Sequence, residues 1–578
     1  DYPGSRLRQG WLRFLWHQMH DDLTGTAIPA AYDITWNDQA VAANLLAGVL
    51  VDSLGAVSRR LDTTSETGLP LLVYNPTSHA REDVVEAVLE RSSLPPGELV
   101  VTSPEGTTRP TQVEAAGASR VRVLFLAAVE PVSFSVFELG AVPAADGGAG
   151  IHPAAPTVST GQLENERYRV TVDRHGDVAS VFDKRLGREL LSGPLGLELL
   201  RDRSHRWPAW EIRPETILDG GTRSVEGEAA VAVVESGPVR VGLEIRRRFA
   251  GSRLKQTFRL AAGGAGERLE IVNELVWGTR GRLLKARFPL DVASPEATYD
   301  LGLGTVRRDN NSPRRYEVPA QQWASITDGA GDRGAAILSD GPYGWDKPSD
   351  DVLRLSLVRS PSSLRKYPHQ RTQDLGRHRF TFALMGHAGE RDHAEISRQA
   401  ERLNQPLLAF SVPAAPGDLG RRLSLLRTDD DVAVTALKRA EDGDRYVVRL
   451  RDLAGRGRSV DLRFVAPPVA VEDCRGDERP TGGPSPATEA PGPAADGGTV
   501  SVALRPWGVR TLGVELPRPG PSGSTTSQVP LELPFDRRAT SSRRDSEAVD
   551  FDGRGASLPA ELFPETLRAG GVTLRLGP

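Results

Sequence analysis

With 578 residues, 39% hydrophobic and 26% charged, the chain has the make-up of a soluble globular protein and is too long for one core, so about three or four domains are expected. Its 72 Lys and Arg against 76 Asp and Glu give a formal charge of -4, which offers no electrostatic footing for nucleic acid or an anionic membrane. The single cysteine, Cys474, excludes an intrachain disulfide and any multi-cysteine metal site, and it suits a reducing, cytoplasmic setting.

In chain order, residues 5–22 read as a helix, with Leu7, Trp11, Phe14, Leu15 and Met19 at helical spacing. That helix would carry His17, His20 and Asp21 on one neighbouring face. Thr24-Gly25-Thr26 and Pro29 end it, and a second helix is expected over 30–60. The most apolar window, 40–57, contains Asn44 and Asp52 and is expected to be too short to span a bilayer. From Leu69 the hydrophobic period changes to two. Strands are expected over 71–74, 84–89, 121–125 and 132–137, then a Pro/Ala/Gly linker over 141–158. Residues 160–390 are a long run of strands, which predicts a large antiparallel sandwich. A short helix over 392–403 follows, then a third β unit whose strands 432–437 and 446–450 flank the turn Glu441-Asp442-Gly443-Asp444. Residues 475–498 read as a loop and 516–548 as a disordered linker. The predicted fold is therefore mainly β. Its parts are a helical segment (1–62), a small β domain (68–142), a large β-supersandwich (158–400), a C-terminal β-sandwich (404–515), and a linker with the start of another β unit (516–578).

Chemistry concentrates in Trp16-His17-Gln18-Met19-His20-Asp21-Asp22-Leu23-Thr24-Gly25-Thr26. Imidazoles and carboxylates on one helical face suit zinc, but a structural zinc needs more ligands than this stretch offers. The competing reading is a helix end whose last turn carries histidines, which the helix dipole favours. A nucleophile elbow, a phosphate-binding Walker loop and a dinucleotide fingerprint are all missing. Arg206-Trp207-Pro208-Ala209-Trp210-Glu211 is a second candidate, either a sugar-stacking platform or a core tryptophan pair. His369, His378 and His387 are spread among strands and read as structural. Convergence of His378, His387 and Tyr343 on one concave face would instead point to a lyase or mutarotase.

His20-Asp21-Asp22-Leu23-Thr24-Gly25-Thr26-Ala27-Ile28-Pro29 resembles the His-Asp-x-x-x-Gly-Thr-x-Ile-Pro segment of family 38 glycoside hydrolases, the α-mannosidases. Asn75-Pro76-Thr77-Ser78, Leu163-Glu164-Asn165-Glu166, Lys285-x-x-Phe288-Pro289, Tyr343-Gly344, Asp374-x-Gly376-x-His378 and Ala436-Leu437-Lys438 are similar to later family segments, in the family's order. The resemblance implies a retaining α-mannosidase with one zinc ion and a mannose-containing glycan as substrate. It implies His20 as one metal ligand, Asp21 as a contact to sugar hydroxyls, and Trp210 as a further substrate contact. Pro208 departs from the Asp that bacterial relatives often carry before Ala-Trp, which weakens the case for that loop. The family's catalytic barrel, with its nucleophile and acid/base, has no counterpart in this sequence, so no catalytic residue is assigned. We expect a piece of a longer or processed protein, since the chain opens on Asp1-Tyr2-Pro3 without an initiator Met. Such a piece is expected to be inactive alone. The alternative is a non-catalytic carbohydrate-binding or scaffold protein. Homo-oligomerisation is left open.

Overall fold

The computed structural model describes residues 2–66, 68–141, 153–204, 206–218, 222–225, 227–362, 367–389, 392–481, 494–496 and 498–517, and strand segments at 540–541, 558–559, 566–569 and 572–575. The chain divides into two compact units, one of residues 10–517 and the other of residues 1–9 with 518–578. In the latter, Thr566–Ala569 pairs antiparallel with Val572–Arg575. The linkers expected over 141–158, 475–498 and 516–548 lie mostly outside the described residues.

The helical segment comprises α1 (Gly4–Trp16), α2 (His20–Leu23) and α3 (Pro29–Ser58). The continuous helix expected over 5–22 is broken at His17-Gln18-Met19, so His17 and His20 do not share a face. Met19 adopts φ -57° and ψ 142°, and its Sδ accepts from the Asp21 amide at 3.2 Å, which caps α2 instead of continuing α1. Pro29 restarts the helix at the first position, where its missing N–H costs nothing. At 30 residues, α3 is long and apolar enough to cross a bilayer by length and composition, contrary to the expectation from window 40–57. Its C-terminal turns instead pack Leu50, Leu54 and Val57 against Leu72, Phe134 and Val136 of the sheet that follows.

That sheet runs Leu408–Ser411, Leu69–Asn75, Ser133–Ala141, Leu99–Thr102, Thr108–Arg109, with Arg422–Ser424 also on Ser133–Ala141. It faces a three-stranded sheet of Arg81–Glu90, Arg120–Val129 and Thr111–Ala115. Along Arg81–Glu90 every second side chain is buried, which seats Val85, Ala87 and Leu89 against Val123, Phe125 and Phe137. Two of the sheet's strands arrive from beyond the large sandwich.

The large sandwich opposes a nine-stranded and a six-stranded antiparallel sheet. The nine-stranded sheet holds, in adjacent order, Ala230–Glu235, Arg240–Phe249, Ser252–Ala261, Leu269–Trp277 and Gly376–His387. Between the sheets Phe288 and Phe382 meet edge to face, with centroids 5.6 Å apart at 84°, in one core with Trp277, Trp345 and Tyr299. The helix expected over 392–403 forms as His393–Asn404 and packs Ile396 and Ala400 on Trp323, Leu338 and Met385. Two four-stranded sheets make the last sandwich, and its predicted hairpin pairs Val432–Arg439 with Tyr446–Asp452. Gly443 supplies φ 85° at that turn. The fold is mainly β, as the alternation predicts.

Candidate functional site

The break after α1 turns His17 inward. Its side chain is 3% exposed, with Nδ1 2.7 Å from Asp22 Oδ2 and Nε2 3.2 Å from Asp38 Oδ2 on α3. Thr35 Oγ1 lies 3.2 Å from the same Nδ1. The Asp22 hydrogen bond raises the His17 pKa most; burial opposes it and Asp38 adds to it. Both ring nitrogens are thus committed to tying the turn to α3, and His17 is a brace.

His20 is the opposite case. Its imidazole is 83% exposed, and Nε2 stands 3.4 Å from Asp21 Oδ2. Asp21 is fixed from its other side. Thr26 Oγ1 donates to Oδ1 at 2.8 Å, and the amides of Thr26 and Ala27 close on the Asp21 carbonyl at 2.9 and 3.1 Å. Tyr32 Oη donates to that carbonyl at 3.3 Å and accepts from the Ala27 amide at 3.1 Å. Burial raises the Tyr32 pKa, the Ala27 amide opposes the rise, and the charges of Asp22, Asp374 and Asp21 add to it. Gly25, at φ 77°, makes the turn that an L side chain would resist.

The large sandwich reaches this turn through the loop that leads into Gly376–His387. Gln373 Nε2 donates to the Gly25 carbonyl at 3.0 Å. The Gln373 carbonyl accepts from Ser360 Oγ, which accepts from the buried Trp277 indole at 2.9 Å. Asp374 sits at φ 56° and Gly376 at φ 140°, and the Asp374 carbonyl lies 2.6 Å from His378 Nε2. Core tryptophan, hydroxyl, amide and turn form one chain of hydrogen bonds, so the His20-Asp21 turn is held by the sandwich as well as by its own helices. Sequence reasoning missed Gln373 and Tyr32. Neither carries a periodic or motif signal; only the strain-tolerant Asp374-Leu375-Gly376 beside Gln373 hinted at a special backbone.

The same loop meets the second candidate. Tyr367 lies 5.9 Å from Trp207, whose ring stacks on Trp210 at 6.2 Å and 27°. Trp210 is 67% exposed and Trp207 43%, which rules out a core tryptophan pair. Trp207-Pro208-Ala209-Trp210 is a tight turn, closed by the Trp210 and Glu211 amides on the Trp207 carbonyl at 3.1 and 2.9 Å. Arg359 pins it from below, donating to Asp202 Oδ2 at 2.6 Å, to the Ala209 carbonyl at 3.0 Å and to the Glu211 carbonyl. The platform is open, flat and rigidly supported.

The remaining histidines do not gather. His378 and His387 stand nine residues apart on one strand, about 30 Å at ~3.4 Å per residue. His387 is buried against Ser325 Oγ at 2.8 Å and the Gly389 carbonyl at 3.0 Å, and burial pushes its pKa down to about 4. Tyr343 is exposed on a different loop, so the lyase or mutarotase constellation is not present. The side chain of His369 lies outside the described residues. Among the described residues no group of three His, Cys, Asp or Glu is placed to hold a metal ion.

Comparison with known proteins agrees with this architecture. The glycosyl hydrolases family 38 C-terminal domain matches residues 163–368, and the family's C-terminal beta sandwich domain matches 431–512. An AziU2-like beta-sandwich domain matches 526–578. Alpha-mannosidase 2C1 of Mus musculus is 33% identical over 307 residues, 51% of this chain and 28% of the mouse protein. Alpha-mannosidase G of Dictyostelium discoideum is 24% identical over 344 residues, 55% of this chain and 30% of that protein. An alpha-mannosidase from Enterococcus faecalis V583 shares the fold at a TM-score of 0.73 and 17% identity, over 89% of this chain and 64% of that one. The matched stretch is under a third of the length of these two curated relatives. The segment around His20 and Asp21 lies outside both family 38 matches. Residues 163–368 and 431–512 of this chain are thus C-terminal β-sandwich domains of the glycosyl hydrolase family 38 type.

Proposed function

We propose that the chain supplies one wall of a zinc-dependent, retaining α-mannosidase site acting on terminal α-mannosides, and that it is inactive without the other walls. One observation carries the proposal. The His20 imidazole is exposed beside an Asp21 carboxylate whose position is fixed by Thr26. An open imidazole next to a braced carboxylate fits a contributor of one metal ligand and one hydroxyl acceptor. It does not fit a complete site, which needs at least three protein ligands. A zinc ion held by His20 and by ligands from outside the described residues would supply Lewis acidity toward neighbouring sugar hydroxyls. Asp21 would accept hydrogen bonds from those hydroxyls. Trp210, on the exposed platform, would stack on a sugar ring of the glycan. Support for an incomplete wall comes from Trp16 and Ile34, which are 76% and 64% exposed and line one open depression between α1 and α3; exposed apolar surface of this kind marks interfaces. We also propose a reducing, cytoplasmic setting, on the ground that the chain has a single cysteine, Cys474.

The test uses the chain as it stands. We expect no turnover of p-nitrophenyl α-mannoside, weak zinc binding by calorimetry that His20→Ala abolishes, and mannobiose quenching of tryptophan fluorescence that Trp210→Ala removes. Turnover by this chain alone, lost on His20→Ala, overturns the inactivity. The exposed Trp207–Trp210 stack favours one competing reading, a carbohydrate-binding protein without catalysis. Sugar binding that survives both His20→Ala and a chelator decides for it.

A further inference from the structure

We infer that the outer face of the nine-stranded sheet is a binding groove for an acidic oligosaccharide, a chain of sugars bearing carboxylates. The groove encloses about 1250 Å³. Strand register lays two rows of side chains across it. One row is Arg248, Arg253, Val276 and Arg377, each opposite the next on neighbouring strands. The other row is Arg246, Lys255, Glu274 and Arg379.

The rows differ in how their charge is balanced. In the second, Glu274 lies 2.6 Å from Lys255, Arg246 lies 2.6 Å from Glu244, and Arg379 acts on Asp340. In the first, Arg248, Arg253 and Arg377 are exposed, and among the described residues their side chains make no hydrogen bond or ion pair. Arg248 stands directly opposite Arg253, a like-charge pairing that weakens a sheet. Buried Glu235 is saturated by Arg240, Arg259 and Arg122 and cannot answer that charge. The lining's other acid, Glu228, precedes the edge strand. Three uncompensated guanidiniums in a row call for an anion supplied from outside.

The geometry selects the kind of anion. The row crosses three strand spacings, about 14 Å at ~4.8 Å each, the reach of a short oligosaccharide and not of a lone phosphate. Guanidinium forks match planar carboxylates bidentately. Val276, 36% exposed between Arg253 and Arg377, offers an apolar seat for the C–H face of a sugar ring. Among the described residues the lining contains no Phe, Tyr or Trp, the stacking platforms on which single-stranded nucleic acids depend. This groove is separate in sequence from the His20-Asp21 turn, and its inference stands whether or not the mannosidase proposal does.

Binding of fluorescent oligogalacturonide to the full chain tests it, with neutral dextran and oligodeoxythymidylate of matched length as comparisons. We expect saturable oligogalacturonide binding that weakens with salt, and none for dextran. Combining Arg248→Ser, Arg253→Ser and Arg377→Ser should weaken binding about thirty-fold, which is about 2 kcal/mol at 1.4 kcal/mol per tenfold. Arg253→Lys keeps the charge without the fork and should cost about threefold, a readout that global misfolding would not mimic. Equal binding of dextran, tighter binding of oligodeoxythymidylate, no oligogalacturonide binding, or unchanged affinity in the folded triple variant would each overturn the inference.

Discussion

Lys285 is fully buried in the large sandwich, and replacing it with Met is the sharpest test of how that core is held. Its Nζ donates to Glu317 Oε2 at 2.5 Å, Asp346 Oδ1 at 2.6 Å and Ser356 Oγ at 2.7 Å. Arg354 also grips Asp346, with Nη2 2.6 Å and Nε 2.9 Å from Oδ2. Burial raises the Glu317 pKa while Lys285 opposes the rise. Burial also pushes on Asp346, but Lys285 and Arg354 outweigh it and hold the Asp346 pKa down. Met fills the volume and removes the cation. Asp346 then keeps Arg354, whereas Glu317 keeps only Ser356. Deleting one partner of a buried ion cluster costs about 3–5 kcal/mol, and the surviving Arg354 contact places the expected loss near 3 kcal/mol at neutral pH. The pH dependence follows from the sign. Without Lys285, folded Glu317 has its pKa raised further above the unfolded value. The folded state then binds the extra proton, and stability falls as pH rises through that interval. The loss in Lys285→Met should therefore be smallest near pH 5 and largest near pH 8. Urea unfolding followed by the buried Trp277 and Trp345, which share this core, reads it directly. A loss below about 1 kcal/mol at pH 8, or one that does not change with pH, would refute the view that Lys285 neutralises a buried acid pair.

Three further outcomes are expected. Replacing His17 with Ala should cost about 2 kcal/mol and raise amide exchange through residues 17–38, because charged hydrogen bonds to Asp22 and Asp38 are lost. Since the His17 pKa is raised in the fold, its brace is fully present below pH 6.5 and lost as pH rises through the folded value; exchange in wild type should increase on that side, and in His17→Ala it should not. His387 behaves in the reverse sense. Burial lowers its pKa from 6.5 to about 4, so the unfolded state takes up the proton first, and stability falls by up to about 3 kcal/mol as pH drops from 6.5 to 4. Urea midpoints should show a flatter acid limb in His387→Gln. Gly334→Ala should cost about 3 kcal/mol in thermal or urea unfolding, because a Cβ there would sit 2.0 Å from His387 Cε1 and 2.7 Å from the Ile326 carbonyl.

What could be read from the sequence was what is written locally. Alternation along Arg81–Glu90 names a half-buried strand because each side chain's face depends only on its neighbours. The same alternation says nothing about which strand lies alongside, so Leu408–Ser411 gave no sign of pairing with Leu69–Asn75, more than three hundred residues earlier. The histidines show the limit most clearly. Steps of three and four placed His17, His20 and Asp21 on one face, and that inference holds only if the helix continues. In the fold α1 ends at Trp16, and His17 turns to Asp22 and to Asp38, twenty-one residues on, so tertiary contacts replace the helical spacing. Tryptophan exposure was undecidable for the same reason. Trp-Pro-Ala-Trp fits a core or a surface equally, and the choice rests on Arg359, which holds the turn from beneath and leaves both rings outside. The His20-Asp21 turn stood out in the sequence because histidine is scarce, ten in 578 residues, and here two of them lie beside adjacent carboxylates. Its support from Trp277 through Ser360 and Gln373 to Gly25 was not, because those links are hydroxyl, amide and carbonyl contacts available to almost any residue of their kind. A short motif can thus single out candidate groups, while the way they are held is a property of sheet loops that only the folded chain brings together.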